Sequence, residues 1–231
     1  MIDAIVLAGG RGTRLAHYVP DLPKPMAAVG GRPFLEHVLD HLIDCGVTSI
    51  VLSVGYRADS IEAHFGGRYR NVELRYAREE QPLGTGGAIV NAARELGDGP
   101  VLVVNGDTLL KVDHRDLEAW YLRSPTDIAM VLRTVNDVNR FGAALIDGDR
   151  VCGFGEKTGA GPGLINAGVY VVHPRVFSRF AMPAAFSLEA DLLQRHCAEL
   201  RPRAYVTDAY FIDIGIPADL DRARADLREG A

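Results

Sequence analysis

A chain of 231 residues, 48% of them hydrophobic, is long enough for one substantial core, since a chain of this size buries roughly 70% of the surface its unfolded form exposes. The net charge of −5 disfavours broad binding to a nucleic-acid backbone, which calls for a basic face, and no apolar run approaches the ~18 residues that span a membrane. Neither nucleic acid nor a membrane is therefore expected as a partner. Met1-Ile2-Asp3 leads straight into an apolar run without the features of a secretory signal, so a cytoplasmic location is expected. Cys45, Cys152 and Cys197 are odd in number and form no CxxC pair, which suggests reduced thiols rather than a disulfide framework or a zinc site.

Ala4-Ile5-Val6-Leu7 reads as a strand buried on both faces. Three glycines then break the chain in Leu7-Ala8-Gly9-Gly10-Arg11-Gly12-Thr13-Arg14-Leu15, and Lys24-Pro25 follows nine residues on. Backbone N–H groups in such a turn can approach a phosphate closely, and the arginines add charged forks. A tight turn that binds nothing is the plain alternative. Leu15 stands where a dinucleotide fingerprint requires a small residue, and the Gly-Lys-Ser/Thr ending of a P-loop is missing. A dehydrogenase is disfavoured on that ground.

Pro33 opens a helix carrying Phe34, Leu35, Val38, Leu39 and Leu42, which Gly46 stops. His37 and His41 lie four apart on it, but no HExxH pattern completes a zinc site, so they read as solvated or half-buried side chains. Strands are expected over 49–54 and 72–76, with a short helix around 60–65 between them. A second glycine-rich turn, Glu79-Glu80-Gln81-Pro82-Leu83-Gly84-Thr85-Gly86-Gly87-Ala88, leads into a helix and is by itself compatible with a simple connection.

Val101 to Asn105 is a strongly apolar strand ending in Gly106-Asp107-Thr108, which puts Asp107 where open α/β sheets collect ligands, although an Asx turn or helix cap explains it locally. A helix around 117–122 holds Trp120 as a core residue, and a strand covers 128–132. Two strands over 141–146 and 151–154 flank the turn Asp147-Gly148-Asp149. Ser187 is placed as a helix N-cap with Glu189 in the first turn, which accounts for both structurally. Finally Tyr210-Phe211-Ile212-Asp213-Ile214-Gly215-Ile216 reads as an apolar strand carrying one acid, before Pro217 opens the last helix. An acid there needs a counter-charge, and a metal ion is attractive.

The opening glycine loop with Lys24-Pro25-Met26, together with the later segments, resembles the sugar-1-phosphate nucleotidyltransferases over nearly the whole chain. The resemblance implies that GTP or another nucleoside triphosphate and a sugar 1-phosphate bind, that the sugar phosphate attacks the α-phosphorus in line, and that pyrophosphate leaves. It assigns the nucleotide to Leu7, Ala8, Gly9, Gly10, Arg11, Gly12, Thr13, Glu79, Pro82, Gly84 and Thr85. Arg14 would stabilise the leaving pyrophosphate, Lys24 would contact the α-phosphate and the incoming phosphate, and Asp107 and Asp213 would hold Mg²⁺. The sugar phosphate would lie against Gly142, Glu156, Lys157 and Asn166, with Lys157 on the 1-phosphate.

Glu79 occupies the position that is acidic in the guanylyl enzymes of this family, and a carboxylate accepts both N1–H and N2–H₂ of guanine, whereas uracil and thymine offer one N–H donor. GTP is therefore the expected nucleotide. Ile216, where the family has threonine, and the short chain set it apart from the long mannose and glucosamine enzymes. The motif combination is most similar to bacterial D-glycero-α-D-manno-heptose 1-phosphate guanylyltransferases, which act in surface-glycan biosynthesis. A mannose-1-phosphate guanylyltransferase, a uridylyl or thymidylyl relative, and a non-catalytic regulatory subunit that binds a nucleotide sugar remain as alternatives.

The expected fold is α/β: a single Rossmann-like domain over 1–231 with a mixed, mostly parallel sheet and helices on both faces. Residues 1–110 would form the nucleotide-binding half and residues 111–231 the sugar-phosphate half, with monomer and homodimer both open.

Overall fold

The computed structural model describes residues 2–10, 12, 18, 22–155 and 161–228. β1 (Ala4–Leu7) lies between two parallel partners, β4 (Ser49–Val54) and β7 (Val101–Asn105). Between β1 and β4 the chain forms a 3-10 turn, Lys24–Met26, a small ribbon of β2 (Ala28–Val29) and β3 (Arg32–Pro33), and helix α1 (Phe34–Asp44). Helix α1 ends as expected: Gly46 takes a φ of +86°, and Val47 N–H closes back on Leu42 O at 3.0 Å. After β4, helix α2 (Ala58–Phe65) leads to β5 (Arg68–Tyr69) and β6 (Val72–Arg78), the latter parallel to β4. Helix α3 (Gly84–Ala93) then crosses back over the sheet to β7.

The second half starts with β8 (Thr108–Leu110), α4 (His114–Arg123) and the long strand β9 (Ile128–Val135). A hairpin of β10 (Ala144–Asp147) and β11 (Arg150–Phe154) follows, turning at Gly148 with φ +59°. Then come β12 (Gly163–Val172), a π-helix over Leu188–Gln194, α5 (Cys197–Leu200), β13 (Arg203–Thr207), β14 (Phe211–Asp213) and α6 (Pro217–Asp226).

The main sheet has ten strands in the order β10-β11-β13-β9-β12-β7-β1-β4-β6-β5. Of its ten ladders among the described residues, four are parallel and six antiparallel, so the expectation of a mostly parallel sheet is corrected. Three of the parallel ladders run from β7 to β6 and the fourth joins β9 to β13, with β12 inserted antiparallel between β7 and β9. Apolar runs report burial on two faces, not direction, and β9 and β12 are as continuously apolar as β1.

Alternate residues of the central strands feed two cores. Ala4, Val6, Leu102 and Val104 pack on one face with Phe34, Leu39, Leu117 and Leu220 from α1, α4 and α6. Ile5, Val51, Val101 and Val103 pack on the other with Ile89 of α3 and Leu188 and Leu192 of the π-helix. The strand expected over 210–216 is shorter, because only Phe211–Asp213 pairs, with β8 in a separate two-stranded sheet. Likewise the strand expected from residue 141 begins at Ala144, since Gly142 takes φ +81° and turns its N–H onto Val138 O.

Candidate active site

The chain leaves β1 to one side for β4 and β6 and returns on the other side as β7, so a crevice opens at the carboxyl ends of β1, β4 and β7. Register places Leu7 beside both Ser53 and Asn105. The residues that follow are held at once: Ala8 N–H donates to Ser53 O at 2.8 Å and Gly106 N–H to Leu7 O at 2.9 Å. A cleft of about 580 Å³ results, and Leu7, Ala8, Gly9, Gly10, Gly12, Glu79, Pro82, Gly84 and Thr85 all line it, together with Lys24 and Asp107. Arg11, Thr13, Arg14, Glu156 and Lys157 lie outside the described residues.

The polar centre is Lys24. Its ammonium donates to Asp107 Oδ2 at 2.6 Å and to Asp213 Oδ1 at 3.3 Å, and the lysine side chain is 9% exposed against 32% and 25% for its acids. Two local structures produce this meeting. Pro25 sits inside the 3-10 turn that presents Lys24, and Gly12, at φ +58°, passes so close that a Cβ would come within 2.7 Å of Lys24 Cβ. The two acids are brought together by the β8–β14 pair, where Thr108 is registered against Asp213 and Ile214 N–H donates to Asp107 O at 3.1 Å. Gly215 keeps the space open, since a Cβ there would lie 2.9 Å from Asp213 Oδ1 and 3.3 Å from Lys24 Nζ. On its far side Asp213 faces Arg140 at 3.6 Å, which also pairs with the buried Asp219 of α6.

Two carboxylates converging on one cation are a donor set that fits Mg²⁺, a hard ion that takes one or two protein carboxylates and fills its shell with water and substrate phosphates. No cluster of three or more His, Cys, Asp or Glu able to hold a metal occurs among the described residues. The histidines of α1 are otherwise occupied: His37 Nε2 lies 3.0 Å from Val29 O and His41 Nε2 2.8 Å from Val112 O, and burial lowers both pKa values.

Glu79 leaves β6 beside Gly9 and Gly55. Its Oε1 accepts from Ser53 Oγ at 3.2 Å and its Oε2 from Leu83 N–H at 2.9 Å. Each oxygen thus has one bond from the protein and retains acceptor capacity toward the cleft. Thr85 lines the cleft, yet its hydroxyl is turned away, donating to Glu189 Oε2 at 2.6 Å and accepting from Leu188 N–H at 2.8 Å.

The glycines of this turn answer to packing. Gly84, at φ +69°, would place a Cβ 2.5 Å from Phe186 O, and a Cβ on Gly86 would land in the Phe186 ring.

Gly142 and Asn166 do not line this cleft. The Gly142 N–H is spent on Val138 O, and Asn166 donates through Nδ2 to Tyr170 OH at 2.7 Å while its Oδ1 accepts from Gly168 N–H at 3.1 Å. Asn105 and Gly215 line the cleft without having been singled out from the sequence. Asn105 Oδ1 is buried without a partner among the described residues, and its signal was available: it is the last residue of a strand whose carboxyl end carries Gly106-Asp107.

Comparison with known proteins agrees with this architecture. The family described as nucleotidyl transferase matches residues 3–230. The D-glycero-alpha-D-manno-heptose 1-phosphate guanylyltransferase of Aneurinibacillus thermoaerophilus is 37% identical over 227 residues, covering 98% of this chain and 99% of its own. The crystal structure of HddC from Yersinia pseudotuberculosis superimposes with a TM-score of 0.88 at 37% identity, covering 98% and 99% of the two chains. The same protein complexed with GMP-PN gives 0.86 with the same coverage. The chain belongs to the nucleotidyl transferase family.

Proposed function

We propose that this protein is a sugar-1-phosphate guanylyltransferase that joins GTP to D-glycero-α-D-manno-heptose 1-phosphate, forming the GDP-sugar and releasing pyrophosphate. Full-length similarity to a guanylyltransferase acting on that heptose phosphate supports the substrate pair, as does a relative crystallised with the guanine nucleotide GMP-PN. The observation that carries the chemistry is the convergence of Lys24, Asp107 and Asp213 beside the glycine turn after β1. Residues 1–110 form the nucleotide-binding half and residues 111–231 the sugar-phosphate half, and the reaction belongs in the cytoplasm. No described helix is long and apolar enough to cross a membrane.

The attacking oxygen of a sugar phosphate is already anionic, so the protein needs no nucleophile of its own. Its task is to hold two mutually repelling anions in line and to stabilise charge at the α-phosphoryl group. Gly9, Gly10 and Gly12 let the backbone approach the triphosphate closely, and Arg14 contacts the leaving pyrophosphate. Lys24 supplies the positive charge shared by the α-phosphate and the incoming phosphate, from a ammonium already oriented by two acids. Asp107 and Asp213 would hold Mg²⁺, which when bound supplies charge neutralisation to the phosphates. Glu79 accepts from N1–H and N2–H₂ of guanine with the lone pairs that Ser53 and Leu83 leave free. Glu156 and Asn166 take sugar hydroxyls, Gly142 shapes that side of the pocket, and Lys157 takes the 1-phosphate.

A matrix of nucleoside triphosphates against sugar 1-phosphates, read by pyrophosphate release, tests the assignment. Turnover should be fastest with GTP and the heptose phosphate. Preference for another base rules out the guanylyl assignment, and absence of release with every pair leaves a binding protein without catalysis.

A further inference from the structure

Glu189 sits at the centre of a hydrogen-bonded chain that its position as a first-turn helix acid does not explain. Its Oε2 accepts from Thr85 Oγ1 at 2.6 Å and from Ser187 Oγ at 3.1 Å, and its Oε1 accepts from Tyr170 OH at 3.0 Å. Tyr170 is fully buried, and its hydroxyl in turn accepts from Asn166 Nδ2 at 2.7 Å. Three segments meet here: the glycine-rich turn through Thr85, the start of the π-helix through Ser187 and Glu189, and β12 through Asn166 and Tyr170. Helical capping requires only that Ser187 Oγ accept from Ala190 N–H, which it does at 3.1 Å.

The chain has a direction. A carboxylate only accepts, so the Tyr170 hydroxyl must give its single proton to Glu189 and keep its lone pairs for Asn166. Asn166 must then turn its NH₂ toward Tyr170, and its Oδ1 takes Gly168 N–H. An isolated asparagine amide could face either way; this one is fixed from both sides, by Gly168 N–H on its oxygen and by Glu189 acting through Tyr170 on its NH₂. The same carboxylate fixes the Thr85 rotor at the nucleotide end, with Leu188 N–H donating to the threonine oxygen. Asn166 itself does not line the cleft, but Gly168, whose N–H it holds, takes φ +69° in the irregular part of β12 and lies against Asn105, which does.

We propose that Glu189 is a positioning residue of the transfer reaction: it ties the nucleotide-side turn at Thr85 to Asn166 and, together with Gly168 N–H, holds the Asn166 amide in the one orientation offered to the sugar. This rests on the sugar-1-phosphate guanylyltransferase assignment for its ligands, but not for the tie itself. Burial and Glu189 together push the Tyr170 pKa well up, so the hydroxyl remains a proton donor at every working pH.

Three near-isosteric variants separate the ends of the chain. Tyr170→Phe should raise KM for the sugar 1-phosphate about tenfold, the size of one lost buried hydrogen bond, with KM for GTP within about twofold. Thr85→Val should do the converse. Glu189→Gln should raise both, and Glu189→Gln combined with Tyr170→Phe should raise KM for the sugar phosphate no further than the single variants do. In parallel, ¹⁵N-resolved spectra should show an Asn166 side-chain amide, identified by its loss in Asn166→Ala, that exchanges slowly in the unaltered protein and faster in Glu189→Gln and Tyr170→Phe. Unchanged Asn166 signals in both variants, or a lowered Tm with neither KM moved, overturns the proposal. If the unaltered protein releases no pyrophosphate from any substrate pair, the guanylyltransferase assignment falls, and the amide spectra still decide for or against the tie.

Discussion

The side proposed for the nucleotide and the side proposed for the sugar spend their polar groups differently. At the ends of β1, β4 and β7, Lys24, Asp107 and Glu79 face a cleft, Lys24 paired with Asp107 and Glu79 held by Ser53 and Leu83 with acceptor capacity to spare. Around β12, Asn166, Tyr170 and Glu189 are tied mainly to each other, and Gly142 spends its N–H on its own loop. Parallel strands account for the first pattern, because they deliver every strand end to one rim. The second follows from an antiparallel insertion with an irregular register between Asn166 and Tyr170, where side chains meet across the layer of the π-helix rather than at a rim. One side is built to receive charge, the other to hold shape.

The sharpest way to break this contrast is to remove the charge. Lys24→Ala or Asp213→Ala should cost at least about 3 kcal/mol of transition-state stabilisation, a hundredfold in kcat, with circular dichroism unchanged. Near-normal turnover in both would mean that the rim is not where the reaction occurs.

Acid should next distinguish the two sides. His114, 3% exposed where α4 meets His41 of α1, has its pKa lowered to about 3 by burial and by that neighbour, and His37 and His41 shift in the same direction. The unfolded chain binds its proton first as pH falls through ~6.5, so the stability that depends on a neutral His114 is complete above that pH and is lost progressively below it. Between pH 7.5 and 5 the loss from this group is about 2 kcal/mol, measurable by urea unfolding followed through Trp120 fluorescence, and His114→Phe should flatten the dependence. Hydrogen exchange should speed up in α1 and α4 before β12.

A smaller effect is expected at the base. Glu79→Gln replaces one acceptor oxygen by a donor and should reduce the preference for GTP over UTP about tenfold, read from the ratio of kcat/KM values. The smallest is at Gly10, where an added Cβ meets nothing within 4 Å among the described residues. Gly10→Ala should leave Tm unchanged and raise KM for GTP only a few-fold; a lowered Tm would show that this glycine serves the fold rather than the ligand.

Much of the rim at the ends of β1, β4 and β7 was legible in the sequence because apolar runs of β-branched residues end there in glycine and acid. The strand limits over 49–54 and 101–105 were read correctly, and the helix that Gly46 stops was foreseen. The sheet's direction was not legible, since β12 buries both faces whether its neighbours run with it or against it. Asp213 was recognised as an acid in need of a counter-charge, but that Lys24 supplies it depends on a two-stranded pairing no local pattern announces. Glu189 was hidden by a sufficient local explanation: Ser187 is indeed the cap, and the acid's long-range partners arrive from segments about twenty and a hundred residues earlier in the chain.

The glycines at 84 and 86 carry a consequence for dissecting the molecule. Phe186 lies so tightly on that turn, its carbonyl receiving Gly86 N–H at 3.0 Å and its N–H reaching Leu83 O at 2.9 Å, that the turn is shaped by a residue from the second half of the chain. Expressing residues 1–110 alone would strip away this clamp and the β12 neighbour of β7 together, so the fragment would retain the glycine motifs as text while losing the contour they encode.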